Sequence, residues 1–290
     1  MRARTWERAA ATAVLVALAL VHGAAADLAS EVDFDHELVA TAAEQMDDFT
    51  DAFAANDDVM AVTRANGKCF IKVLGSDSLH DWVNNMSFIK GSIAGLRCRV
   101  GGQVKLPEDK CRSWRSAGIG MRGFIESFNQ LRFEMLRQMR KKCDLARDNV
   151  VVVGHSRGGA IAQTAAAVLF LDEIVPSPRL ALVTFGSPRV LESTLSDAVH
   201  DKFTQIRLIN EEDPVPSTPP AWLAYKHFGR MYCRDCGYPM ERDEPKLAFN
   251  IFEVSDHYLV SYQAWLTSSL AKKEARAAAA HQAETVALIL

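Results

Sequence analysis

Along the chain, apolar runs of strand length alternate with longer stretches in which apolar residues recur every three to four positions. The runs at 69–74, 150–153, 180–185 and 204–209 predict strands buried on both faces. Between them, Phe124, Phe128, Leu131, Met135 and Met139 fall at helical spacing and predict a helix over 124–139, while 161–171 predicts an alanine-rich helix suited to close packing. This alternation is that of an α/β fold, a mostly parallel central sheet with helices on both faces. The stripes are core, not sites. There is no internal repeat, and the proline-rich segment 214–220 predicts a rigid loop rather than a linker.

The ends read differently. Arg2, Arg4 and Arg8 precede an apolar run over 9–21 and the small residues Ala24, Ala25 and Ala26, the order of a secretory signal peptide cleaved near Ala26. An arginine-rich transit peptide is the alternative, which Glu7 and the unbroken apolar run fit poorly. The apolar run falls short of the roughly 20 residues of a membrane span, so no transmembrane segment is expected in the mature chain. The expected organisation is a signal peptide over 1–26, a single α/β domain over 27–270 and an alanine-rich helical tail over 271–290. The leader carries three arginines and one glutamate, so its loss takes the formal net charge from −3 to −5, which argues against a nucleic-acid partner. Secretion or an endomembrane lumen is the expected location. Residues 286–290 are neither a retention signal nor long enough to anchor.

A secretory route permits disulfides, and Cys69, Cys98, Cys111, Cys143, Cys233 and Cys236 allow up to three bridges among about 15 connectivities, which spacing leaves open. Cys233 and Cys236 form a lone C-x-x-C with no second pair at zinc-finger distance, so a structural disulfide is expected there and no metal.

Directly after the run 150–153 comes Gly154-His155-Ser156-Arg157-Gly158, a G-x-S-x-G between a predicted strand and a predicted helix. A serine hydroxyl is a poor nucleophile unless it is exposed beside a base, and a sharp strand-to-helix turn lifts it out of the sheet. Ser156 is therefore the expected nucleophile. In this arrangement the acid and then the histidine follow in the chain. Of the downstream histidines, His281 lies in the alanine-rich tail and His227 follows Trp222 and Tyr225. His257 follows the apolar run 249–254 and is favoured as base. The loop after 204–209 offers Glu211, Glu212 and Asp213 as the acid that orients the imidazole, and spacing leaves the three nearly tied. Asp213 has the added feature of preceding Pro214, which restrains its backbone. Oxyanion donors are expected from the backbone N–H of Arg157 and from the loop Gly75-Ser76 after the first run.

These residues resemble the class 3, fungal-type lipase family of the α/β-hydrolase superfamily over about 58–266. The resemblance rests on four blocks in order: Leu74-Gly75-Ser76-Asp77-Ser78 with Asp81-Trp82, Gly154 to Ala160, Thr184-Phe185-Gly186-Ser187-Pro188-Arg189-Val190, and Asn210 to Pro216 followed by Ser255-Asp256-His257. It implies an α/β-hydrolase fold with Ser156 as nucleophile, Asp213 as acid, His257 as base, and Ser76 with the Arg157 amide as oxyanion hole. His227 then belongs to a non-catalytic stretch from Tyr225 to Gly229. The chain departs from the family pattern at Leu74, at Arg157 where leucine is usual, and at Met121-Arg122-Gly123-Phe124. These departures are expected to bring charge and bulk to the acyl-binding mouth.

Such proteins carry a lid after the oxyanion loop. Here Trp82, Val83, Met86 and Ile89 fall at helical spacing with Asp81, Asn84 and Asn85 opposite, a short amphipathic helix able to lie on lipid, or else an ordinary half-buried surface helix. Asn85-Met86-Ser87 is the sole glycosylation sequon. The implied function is a secreted serine lipase acting on acylglycerols at an oil–water or membrane interface, with no cofactor. A phospholipase A1, galactolipase or feruloyl-type carboxylesterase is the alternative within enzymes, and an inactive lipid-binding protein the alternative outside them. A histidine base, with an ordinary pKa near 6.5, implies a rate that falls on the acidic side.

Overall fold

The computed structural model describes residues 35–55, 57–75, 90–92, 119–210, 213–234, 240–241 and 255–289. The expected leader, Ser76, the segment 82–89 with Trp82, Val83, Asn85, Met86 and Ile89, the acids Glu211 and Glu212, the run 249–254, and Cys98, Cys111 and Cys236 lie outside the described residues.

The chain runs α1 (His36–Gln45), β1 (Phe53–Ala55), β2 (Asp58–Ala65), β3 (Lys68–Leu74), β4 (Lys90–Gly91), β5 (Gly120–Met121), α2 (Arg122–Lys142), β6 (Asn149–His155), α3 (Ser156–Leu171), β7 (Leu180–Phe185), α4 (Ser193–Val199), β8 (Thr204–Asn210), β9 (Arg230–Arg234), β10 (Met240–Glu241) and α5 (Leu259–Ile289). Among the described residues, eight strands form one sheet in the order β1-β2-β3-β6-β7-β8-β9-β10. The middle, from β3 through β6, β7 and β8 to β9, is parallel, and β1, β2 and β10 add antiparallel edges. This is the α/β-hydrolase arrangement expected from the sequence, with the four predicted strands as its centre.

The pleat sends successive side chains to opposite faces, and both faces are covered. Val150 and Val152 of β6 enter the larger core with α2 and α3, whereas Val151 and Val153 join Phe70, Val183, Phe185 and residues of α1 and α5 in the smaller one. α3 is buried at every position except Arg157, which explains why alanines and glycines crowd its sequence: it lies between α2 and the sheet. α2 buries the predicted stripe Phe124, Phe128, Leu131, Met135 and Met139. Cys143, directly after the last residue of α2, is bonded to Cys69 of β3 at a sequence separation of 74. Cys233 of β9 is also disulfide-bonded.

α1, the β2–β3 hairpin, α4 and β9 are additional to the runs and stripes that the sequence predicts. The hairpin turns on Asn66 and Gly67, both at positive φ (49° and 70°), as a two-residue loop between right-twisted strands requires. β6, β7 and β8 end side by side, and the loops that leave them carry the candidate site.

Candidate active site

Ser156 is the first residue of α3 and follows β6 with no intervening loop. Its φ is +55°, a left-handed value that costs a non-glycine residue energy and holds the side chain at the apex of the turn. The two flanking glycines are steric necessities. A Cβ on Gly154 would come within 2.6 Å of the Gly158 carbonyl carbon and 2.8 Å of the Gly159 nitrogen, and one on Gly158 would press into the Val73–Leu74 backbone at 2.7 Å.

The structure brings three of the expected side chains together. The Ser156 Oγ lies 2.7 Å from His257 Nε2, and His257 Nδ1 lies 2.9 and 2.8 Å from the two oxygens of Asp213. All three are buried. Because the carboxylate accepts from Nδ1–H, Nε2 is the unprotonated nitrogen and accepts from the serine hydroxyl. His257 ends a short turn, Ser255–His257, just before α5, and Asp213 lies just beyond β8.

Two further groups hold the acid. Tyr262 of α5 donates its hydroxyl to Asp213 Oδ2 at 2.6 Å, and the Val215 N–H donates to Oδ1 at 2.9 Å. The Tyr262 hydroxyl itself accepts from the Asn210 N–H at 3.2 Å. Burial first, and the Asp213 charge second, push the Tyr262 pKa well up, so it stays a neutral donor. The loop behind Asp213 is fixed by one buried guanidinium and one buried ring: Arg189 donates to the Ser217 and Pro219 carbonyls at 2.5 and 2.7 Å, and His227 donates through Nε2 to the Pro216 carbonyl at 2.8 Å. His227 thus sits in a structural hydrogen bond away from Ser156, and its burial lowers its pKa well below the usual imidazole range. His281 lies late in α5.

The residue before the serine also takes part. His155 donates from Nε2 to the backbone carbonyl of His257 at 2.6 Å, and its ring lies 4.8 Å from the His257 ring. Burial, and then the neighbouring His257, lower its pKa to about 4, so it is a neutral strut near pH 7.

Arg157 behaves unlike the sequence expectation. Instead of carrying charge to the mouth, its guanidinium turns onto Asp58 of β2, with Nε 2.6 Å from Oδ1 and Nη2 2.8 Å from Oδ2. Nη2 also donates to Ser127 Oγ of α2 at 2.8 Å, and the guanidinium carbon stands 5.6 Å from the Phe124 ring centre. The His155 side chain caps no N–H of α3, so the first turn presents its backbone N–H groups without a side-chain acceptor from that position. Among the described residues no group of three or more His, Cys, Asp or Glu side chains is arranged to hold a metal ion.

Tyr262, His155, Asp58 and Gly186 went unassigned in the sequence. Tyr262 reads there as one more apolar position of an amphipathic helix, and no local signal separates it from core. His155 and Gly186 do fall inside quoted motif blocks, but their roles depend on what lies across the fold.

Comparison with known proteins bears on family and fold. The model of the family "Lipase (class 3)" matches residues 70–222. The chain is 27% identical over 190 residues to a secreted mono- and diacylglycerol lipase of Fusarium solani, covering 63% of this chain and 49% of that protein. It is 28% identical over 169 residues to a lipase of Rhizomucor miehei, covering 56% and 40% of the two chains. This chain thus spans about half the length of those relatives. Among solved structures, the propeptide complex of Rhizomucor miehei lipase superposes with a TM-score of 0.54 at 25% identity, covering 72% of this chain and 67% of that one. A triacylglycerol lipase described as having a serine protease triad at its catalytic centre superposes with a TM-score of 0.58 at 22% identity, covering 77% and 91%, a likeness of fold.

Proposed function

This chain belongs to the class 3 lipase family, and from that premise we propose that it hydrolyses the carboxylic ester bonds of acylglycerols through an acyl-enzyme on Ser156. The observation that carries the reading is the buried relay of Ser156, His257 and Asp213, joined at 2.7 to 2.9 Å. In the first half-reaction His257 Nε2 takes the hydroxyl proton as Oγ attacks the ester carbonyl carbon, and the carbonyl oxygen becomes an oxyanion. The Arg157 N–H is the proposed donor to it, together with Ser76. As the C–O bond to the glycerol portion breaks, the imidazolium returns its proton to that leaving oxygen. Water then enters by the same route, giving up a proton to His257, and the fatty acid departs as Ser156 regains its hydrogen. Asp213 accepts from Nδ1–H and keeps the imidazole in the tautomer that the attack requires.

In this reading one hydrolase domain over 27–270 follows a cleaved leader, and the product of cleavage is secreted. The relatives described as secreted lipases support it, as does a disulfide-bonded core. The apolar residues Trp82, Val83, Met86 and Ile89 are proposed to meet the lipid interface.

The test compares the purified protein with Ser156→Ala on emulsified triacylglycerols, diacylglycerols, phospholipids, galactolipids and dissolved short-chain esters, following fatty-acid release. Serine-dependent release from acylglycerols is the expected result. Preference for a phospholipid or galactolipid would move the substrate class, and no serine-dependent release by the folded protein would overturn the hydrolase reading.

A further inference from the structure

We propose that Asp58 is a positioning residue for the oxyanion hole, acting through the Arg157 side chain on the Arg157 backbone N–H. The inference rests on the hydrolase reading above and adds to it a part of the machinery that lies outside the relay.

An oxyanion donor must meet a strict demand of placement. It gains its effect by being in place before charge develops, so the amide has to be held to about half an ångström. Here the amide belongs to a residue that follows a strained serine at φ +55°, at the start of a helix. Strain of this kind persists only where the surroundings over-determine it. On one side the elbow is wedged by glycine packing, Gly158 against the end of β3. On the other, the tether is the Arg157 side chain.

That tether has the features of a fixed strut. Asp58 is 1% exposed and engages two nitrogens of the guanidinium in a parallel fork, the most directional ion-pair geometry available to a side chain. Ser127 receives a third contact from Nη2 and passes its own hydrogen to the Gly123 carbonyl at 2.9 Å, which ties the guanidinium to the first turn of α2. Phe124 lies against the guanidinium. The residue next to the nucleophile is therefore anchored to β2 and to α2 at once. β2 pairs along its length with β3, against whose end Gly158 packs, so both supports of the elbow share one rigid hairpin. A surface-facing arginine would gain none of this order, and a buried carboxylate with no such partner would carry a large desolvation cost.

The experiment uses the full chain with Asp58→Asn, and with the pair Asp58→Leu and Arg157→Leu, which leaves no buried charge stranded. On a dissolved short-chain ester, kcat is expected to fall about tenfold or more in both variants while KM stays within about threefold, the signature of an interaction made in the transition state. Affinity for an alkyl boronic acid, whose tetrahedral adduct on Ser156 places an oxygen in the oxyanion position, should weaken by the same factor as kcat. Backbone hydrogen exchange of the peptide carrying the Arg157 amide should accelerate in both variants. Wild-type kcat and boronate affinity in the double-leucine variant would overturn the proposal, since the loss in Asp58→Asn would then come from a stranded charge. Unchanged exchange at Arg157 would overturn it too, whatever the activity. A wild-type protein without serine-dependent turnover would count against the hydrolase reading instead, and the exchange measurement would still decide the tether.

Discussion

Gly186 holds open the space in which Asp213 meets its imidazole. It sits just past the end of β7 with φ +53°, and a Cβ there would stand 2.6 Å from Asp213 Oδ2, 2.9 Å from the Tyr262 hydroxyl and 3.1 Å from His257 Nδ1. Gly186→Ala therefore combines an unfavourable backbone conformation with a collision against the carboxylate that accepts from the His257 ring. The expected outcome is a fall in kcat/KM of at least about a hundredfold, because a displacement of this order at the reacting groups costs that much. Gly123→Ala is the control, since a Cβ there meets nothing within 4 Å and the residue lies in the first turn of α2. Steady-state rates on a soluble ester check both.

Tyr262 is the other unforeseen partner of Asp213. Removing its hydroxyl with Tyr262→Phe leaves the carboxylate with the Val215 N–H and the imidazole. A hydrogen bond to a charged group is worth about 1.5 to 3 kcal/mol. If about half of that reaches the transition state, kcat falls roughly three- to tenfold with KM unchanged. Asp213→Asn is expected to be far worse, about ten-thousandfold, because it admits the wrong imidazole tautomer. Comparable losses in the two variants would mean that Tyr262 sets the geometry of the whole relay.

How far the sequence speaks depends on how local each cause is. The central strands were legible because burial on both faces leaves unbroken apolar runs, as at 150–153, and the strand-to-helix turn at Ser156 because strand, G-x-S-x-G and helix are contiguous. The hairpin at Asn66-Gly67 was legible as well, being the strongest short-range turn signal between two alternating runs, but it went unread. α1 carries its own signature in the Asp35 cap, which accepts from the Leu38 N–H at 2.9 Å, and in the buried spacing of Leu38, Val39, Ala42 and Ala43. Other residues had no local cause to read. Asp58 at a strand start looks like a solvated charge, and its burial is explained only by Arg157, far along the chain. Lys72 interrupts an apolar run as an outward residue would, yet it is fully buried, with its ammonium on the Asp48 carbonyl and 5.4 Å from the Phe49 ring centre. Tyr262 and His155 act through partners that only the folded chain brings near.

The bridge between Cys69 and Cys143 joins the start of β3 to the end of α2, so it clamps the two elements that support the elbow. A loop with a sequence separation of 74 loses much chain entropy when closed, and the bridge is expected to contribute about 4 kcal/mol. Cys69→Ala with Cys143→Ala should lower Tm by roughly 10 °C on that basis. Reduction of the wild-type protein under native conditions, which also breaks the bridge of Cys233, should lower Tm by at least as much. Thermal unfolding followed by circular dichroism checks this, and a shift under about 2 °C would mean that the β3–α2 packing suffices without the bond.

Acid stability should be governed first by buried imidazoles and only later by carboxylates. His155 has its pKa lowered to about 4, and His227 is lowered well below the usual value, in both cases chiefly because burial disfavours the charged ring. In the unfolded chain both titrate near 6.5, so between that pH and about 4 the unfolded state binds more protons than the folded one. Stability is therefore fully present above about 6.5 and declines as pH falls toward 4, with His155 contributing at most about 3 kcal/mol of the loss. Asp148 works in the same sense but in a lower window. Its hydrogen bond with Arg64 holds its pKa at about 2, so its contribution is present above the ordinary carboxylate value and disappears only as pH drops further. Urea unfolding at pH 7.0, 5.5 and 4.5 should show a progressive loss, each midpoint lower than the last. His155→Gln, which cannot charge, should shrink the difference between pH 7.0 and 4.5 while lowering stability at pH 7.0 through its poorer bond to the His257 carbonyl. An unchanged pH dependence in that variant would place the acid sensitivity at His227 or elsewhere, and would mean that the ring beside Ser156 charges without cost.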